Sequence, residues 1–182
     1  MIEKKRIQKH IMIQIILFLI LIALDQFSKH ILAFHLQKQG DLPLLPGVLE
    51  FHYLENTGAA FGIFQGRKWL FLILTVIILG TVGYLYVRIW SDLFQHLSAA
   101  ETGIRTYAGK QICISYGLSV LCAGAIGNLI DRMAHGYVID FIHVLFLEFP
   151  VFNLADIYVT VSCIFIVLMF IFGKNKEDDS GI

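Results

Sequence analysis

The chain has 182 residues, 57% hydrophobic and 15% charged, with 14 Lys+Arg against 14 Asp+Glu and a formal net charge of +0. Ordinary soluble domains carry about a quarter charged residues, so this composition excludes a disordered chain, a collagen-like repeat and a nucleic-acid binder driven by net charge. The three cysteines, Cys113, Cys122 and Cys163, lie inside apolar runs, where Cys behaves as a small hydrophobe and points to neither a disulfide framework nor a zinc site.

Crossing the hydrocarbon core takes about 20 mostly apolar residues. Four segments qualify, over about 11–34, 69–90, 112–130 and 154–172. The third is the least apolar and is rich in Gly, Ala and Ser. The basic start and first apolar run also resemble a secretory signal peptide. No small-residue cleavage site follows Leu24, however, and three further spans follow. The expected fold is therefore a membrane all-α bundle of four transmembrane helices with a small β element, forming a single domain.

Orientation follows the Lys/Arg asymmetry. With the N-terminus in the cytoplasm, Lys4, Lys5, Arg6, Lys9, Arg88, Arg105, Lys110, Lys174 and Lys176 fall inside, and Lys29, Lys38, Arg67, Lys68 and Arg132 fall outside. Both termini are expected in the cytoplasm. Arg67 and Lys68 run against the rule and read as interfacial anchors beside Trp69.

Between the spans, 35–68 is a long outer loop, 91–111 a polar inner loop, 131–153 an outer connection and 173–182 a frayed tail. In the outer loop Leu42-Pro43 and Pro46-Gly47 are breakers, and Val48 to Leu54 alternates as a strand. Tyr137 to Val144 gives a second strand in the outer connection. Such strands cannot lie in lipid with open edges, so they are expected to form a short extracytoplasmic β-platform at the outer ends of the helices.

The chemistry-bearing residues converge by depth. Asp25 and Lys29 lie in the outer part of the first span, Asn128, Asp131 and Arg132 at the outer end of the third, Asn153 and Asp156 at the outer start of the fourth, and Asp140 in the outer connection. Ionisable groups near a bilayer are costly and usually face a bundle interior, so several at one level suggest a site. Simpler readings exist for most of them. Asp25 and Lys29 make an i,i+4 pair, with Lys29 also able to snorkel to the interface. Asp131-Arg132 suits a helix end, and Asn153 with Asp156 suits a variant capping box. Asp140, within the apolar run Val138-Ile139-Asp140-Phe141-Ile142, needs a partner or a raised pKa.

The outer histidines His35, His52, His135 and His143 have no standard metal-ligand spacing, so no metal and no cofactor is expected. Two facing carboxylates, Asp140 and Asp156, would share one proton and hydrolyse a peptide by general acid–base catalysis. The amides Asn56, Asn128 and Asn153 would hold the substrate backbone or the acids, and Asp131-Arg132 would brace the loop. The alternative is a proton-coupled membrane carrier using the same acids; a non-enzymatic assembly factor is a third reading.

Five stretches carry a resemblance: Asp25-Gln26-x-x-Lys29; Asn56 to Phe61; Gly127 to Arg132; Gly136 to Phe141; and Phe149 to Asp156. In that order they resemble the lipoprotein signal peptidases (signal peptidase II), bacterial membrane aspartic peptidases. The resemblance implies catalysis by Asp140 and Asp156, supported by Asp25, Lys29, Asn56, Gly58, Asn128, Asp131, Arg132, Asn153 and Ala155. It implies diacylated prolipoprotein substrates cut just before the lipidated Cys, contact with membrane lipid, cyclic peptide antibiotics as inhibitors, no nucleic-acid partner, and residence in the bacterial cytoplasmic (inner) membrane with the site near the extracytoplasmic face. His143 stands where many members carry an acid, and the 91–109 segment looks longer than the family's usual connection.

Overall fold

The computed structural model describes residues 2–58, 66–98 and 104–172. Among these, the order is α1 (Ile2–Gln39), β1 (Leu42–Leu45), β2 (Leu49–Asn56), α2 (Lys68–Ser98), α3 (Ile104–Ala134), β3 (Val138–Val144) and α4 (Leu154–Phe172). All four helices are long and apolar enough to cross a membrane. Their outward faces expose large apolar side chains such as Leu19, Phe27, Ile77, Val87 and Phe170, which in water would be untenable and in lipid need no partner. The tail at 173–182 and the Ala59-Ala60-Phe61 part of the second motif lie outside the described residues.

α3 is the central helix and touches α1, α2 and α4. That position explains its small residues, because backbones approach closely where side chains are short. A Cβ on Gly124 would stand 2.5 Å from the Ala155 carbonyl oxygen, and one on Gly117 would stand 2.8 Å from Ile166. Val82, Ile114, Leu118 and Leu121 form one apolar cluster, and Ile7, Trp90 and Leu93 a second. Gln14 joins three helices: it accepts from Tyr86 Oη at 2.8 Å and donates to Ser115 Oγ at 2.9 Å.

The helices extend beyond the apolar spans. The polar loop expected over 91–111 is mostly helix, since α2 runs to Ser98 and α3 starts at Ile104. A helix satisfies its own backbone groups and need not stop where lipid stops.

The sheet has the order β1-β2-β3, both pairs antiparallel. β2 and β3 are the two expected strands, with ends shifted by one or two residues. β1 corrects the reading of Leu42-Pro43 as breakers. It is an edge strand, where a proline's missing N–H is tolerated. The turn into β2 is Leu45-Pro46-Gly47-Val48, with Gly47 at φ 73° and Val48 N donating to the Leu45 carbonyl at 2.9 Å. Pro then Gly at the two central positions is what a type II turn requires. At the end of α3, Gly136 adopts φ 86° while its N–H reaches the Arg132 carbonyl at 3.2 Å, a left-handed helix stop that turns the chain into β3. The sheet strands connect α1 to α2 and α3 to α4, so one end of the bundle carries the whole sheet. β2 and β3 also pack on α1.

Candidate active site

The sheet end of the bundle gathers the acids. Asp140 sits in β3 opposite Leu54 of β2, just past an irregularity between Phe51 and Leu54. It is 1% exposed. Asn56, at the end of β2, donates to Asp140 Oδ2 at 2.7 Å, and Asn153 Nδ2 donates to Oδ1 at 2.6 Å. Burial pushes the Asp140 carboxyl up, and the neighbouring Asp156 charge adds to it. These outweigh the two amide donors and Lys29, and the pKa reaches about 7.

Asp156 enters from the first turn of α4. Its main-chain N–H donates to Asn153 Oδ1 at 3.1 Å, and Asn153 N–H donates to Asp156 Oδ2 at 3.1 Å. This is the reciprocal cap expected from the sequence. The capping and functional readings are not rivals: the cap fixes the Asp156 rotamer while leaving the carboxylate half-buried at the helix start. Asn128 Nδ2 donates to Asp156 Oδ1 at 2.8 Å. Asn153 therefore touches both acids, Asp140 through its side chain and Asp156 through its backbone.

Beneath the pair lies a buried ionic network. Lys29 is 1% exposed. Its Nζ lies 2.9 Å from Asp25 Oδ2 and 3.1 Å from Asp131 Oδ2, and donates to Asn128 Oδ1 at 2.9 Å. The snorkelling reading of Lys29 is thus overturned, because these three acceptors together replace the ammonium's water shell. Asp25 Oδ1 accepts the Ala155 N–H at 3.0 Å, tying α1 to the start of α4. Asp131 Oδ2 accepts the Ile139 N–H at 3.1 Å, tying α3 to β3. The residue just before each catalytic candidate, Ala155 or Ile139, therefore has its N–H held by an acid that Lys29 neutralises.

Arg132 stands to one side. Its guanidinium donates to the carbonyls of Asn128 at 3.4 Å and Gly58 at 3.5 Å, and lies 4.8 Å from the Phe71 ring centroid. Gly58 N–H donates to Asn56 Oδ1 at 2.9 Å, so Arg132, Gly58 and Asn56 form a chain leading to Asp140. All eleven residues singled out from the sequence thus meet at one end of the bundle.

Two contributors were not assigned roles from sequence. Gln26 Nε2 reaches Asp25 Oδ2 at 3.1 Å, the Gly127 carbonyl at 3.1 Å and Asp131 Oδ1 at 3.0 Å. Gly127 leaves room for Asp25, since a Cβ there would stand 2.5 Å from Asp25 Oδ2. Both lie inside the quoted motifs, and that placement was the available signal. Of the outer histidines, His52 and His143 pair with Asp41 and Glu50.

Comparison with known proteins finds similar sequences and structures. The family model described as signal peptidase (SPase) II matches residues 17–172. A lipoprotein signal peptidase of Streptococcus pyogenes serotype M2 is 35% identical over 168 residues, covering 90% of this chain and 93% of its relative. One from serotype M3 is 34% identical over the same shares. A bacterial membrane enzyme solved at 2.3 Å superposes with a TM-score of 0.73 at 27% identity, covering 93% of both chains. Another, at 1.9 Å, gives 0.69 at 28% identity, covering 88% of this chain and 94% of the other.

Proposed function

The chain belongs to the signal peptidase II family of membrane aspartic peptidases, and on that premise we propose that it removes signal peptides from diacylglyceryl-modified prolipoproteins by water attack between Asp140 and Asp156, cutting just before the lipidated Cys. The observation that carries the reading is the Asn153 bridge: its side chain donates to Asp140 Oδ1 at 2.6 Å and its main-chain N–H to Asp156 Oδ2 at 3.1 Å. One buried amide residue holds two acids in one site, where like charges disfavour double ionisation and one proton is shared.

The step then balances simply. The ionised acid takes a proton from water, and the oxygen of that water bonds to the scissile carbonyl carbon. The protonated acid gives its proton to the carbonyl oxygen. Collapse of the resulting diol breaks the C–N bond, and a carboxyl proton passes to the leaving amine. No covalent acyl-enzyme forms. Asn56, Asn128 and Asn153 hold the acids from the sides, while Asp25, Lys29, Asp131 and Arg132 fix the elements that carry them. Gly58 and Ala155 back the pair through main-chain atoms, Gly58 holding Asn56 and Arg132 and Ala155 holding Asp25.

The Lys/Arg distribution supports a reading with both termini in the cytoplasm and the sheet end at the extracytoplasmic face of the bacterial inner membrane. A substrate anchored by two acyl chains can keep them in lipid while its peptide bond meets acids at bilayer level. Cyclic peptide antibiotics that occupy this site would act as inhibitors. A proton-coupled carrier would instead place its acids near the bilayer midplane, whereas this set gathers at one end.

The test is cleavage of one diacylated precursor in vesicles. Asp140→Asn and Asp156→Asn should each abolish cleavage while the protein still inserts and melts cooperatively. Normal cleavage by either variant refutes the aspartyl mechanism. Cleavage of an unlipidated precursor at the same rate refutes the substrate class.

A further inference from the structure

Away from the acids, the sheet carries a second cluster. His52 Nδ1 lies 2.9 Å from Asp41 Oδ1, and His143 Nδ1 lies 2.9 Å from Glu50 Oε1. The two imidazole rings sit side by side, with centroids 5.6 Å apart. One ligand atom from each of Asp41, Glu50 and His52 falls within 4.8 Å of the others. We propose that Asp41, Glu50, His52 and His143 form a binding site for a divalent transition-metal ion, with zinc the ion its ligand types fit best.

Three features support it. The donor set is two imidazoles and two carboxylates, which suits zinc; an all-oxygen set would point to calcium or magnesium. The placement comes from strand register rather than from chance rotamers. Glu50 and His143 are direct cross-strand partners, and Asp41 immediately precedes Leu42, which pairs with Phe51 next to His52. Each histidine already faces a carboxylate oxygen at 2.9 Å through Nδ1, so an ion entering between nitrogen and oxygen takes both as ligands. A small rearrangement suffices to close the ligands onto an ion, since an imidazole and a carboxylate bind zinc at about 2.0–2.2 Å.

The ion would clip the β1–β2 hairpin to β3, the strand that carries Asp140 three residues before His143. Its role is to hold the sheet, with no part in bond cleavage, and the proposal stands independently of the peptidase reading. Without an ion the same residues are two half-exposed imidazole–carboxylate pairs, worth little individually.

The probe is zinc alone, titrated into the purified, tag-free full chain in detergent against a chromophoric chelator. The expected result is one zinc per chain, with a higher melting temperature when zinc is present. Glu50→Gln should weaken binding by about tenfold or more, and His52→Ala with His143→Ala should abolish it. His35→Ala with His135→Ala should leave it intact. A cooperative thermal melt of the His52/His143 double variant in detergent shows that the variant is folded. If it does not fold, cobalt substitution of the unmodified chain decides, with four-coordinate d–d absorption expected. Absence of bound zinc, equal binding by a folded double variant, or a six-coordinate cobalt spectrum would each overturn the proposal.

Discussion

Gly127→Ala separates two opposing effects whose sizes can be compared. In a helix interior Ala is favoured over Gly by about 1 kcal/mol, so propensity alone predicts stabilisation. At Gly127, however, the new Cβ would lie 2.5 Å from Asp25 Oδ2, 3.1 Å from Asp25 Cγ and 3.3 Å from the Ala155 Cβ. The first contact forces a movement of about half an ångström even to reach the shortest separation that real Cβ atoms tolerate. Asp25 has little freedom to yield: it is fully buried and held at 2.9 Å by Lys29 and at 3.0 Å by the Ala155 N–H. Overpacking of this kind costs about 1–3 kcal/mol, and loosening a charge-assisted hydrogen bond about 1.5–3. The steric effect wins, with a net loss of about 2 kcal/mol. The Ala155 end of α4 moves with Asp25 and carries Asp156 off its cap, so cleavage should fall by about a hundredfold, the scale of an ångström-sized misplacement. Gly80 and Gly83 on α2 are controls, because nothing lies within 4 Å of a Cβ added to either. Gly80→Ala should melt at or above the native temperature and cleave normally. Thermal unfolding in detergent, paired with initial rates on a diacylated precursor, reads both quantities. A Gly127→Ala variant as stable and as active as Gly80→Ala would refute the packing argument.

Lys29→Met leaves Asp25 and Asp131 facing each other without their shared cation; breaking a buried ion pair costs about 3–5 kcal/mol, which denaturant titration in detergent should show alongside loss of cleavage. Asp140, raised to about 7, should make the cleavage rate fall as pH rises through about 7, because the proton that activates the carbonyl is lost; a rate–pH profile checks this. The same shift has a stability consequence. The folded chain holds the Asp140 proton more tightly than the unfolded chain, whose carboxyl titrates near about 4. That contribution is therefore fully present below about 4 and lost as pH rises through about 7, and it should vanish in Asp140→Asn when melting is followed against pH. A chelator should leave the cleavage rate of the folded His52→Ala/His143→Ala variant unchanged, since none of the steps at the two acids uses a metal; loss of its cleavage restored by zinc would contradict the mechanism.

Much of this molecule is visible in the order of its residues, for physical reasons that also explain what is not. The spans announce themselves because lipid demands unbroken apolar length, whereas their extensions into 91–98 and 104–111 do not, since water accepts a helix and a loop alike. Asn153 and Asp156 are legible as a pair because capping is local. The 1% exposure of Lys29 is not, because it depends on Asn128 and Asp131, about a hundred residues away. β1 escapes a pattern search, since Leu42-Pro43-Leu44-Leu45 has no alternation and earns its strand only by pairing with β2. The motifs placed Asp140 and Asp156 at one level, but the Asn153 bridge between them, and the pairing of His143 with Glu50, belong to cap geometry and strand register.

If Asp140 and Asp156 share one proton, each carboxyl must sense the charge of the other. Infrared difference spectroscopy of the purified chain, following the carboxylic C=O band that Asp140→Asn removes, tests it most directly. The band should titrate at about pH 7 and move to lower pH in Asp156→Asn, where the neighbouring negative charge is gone. A band whose midpoint is the same in both proteins would show that the two acids do not sense each other, and the shared-proton mechanism would be wrong.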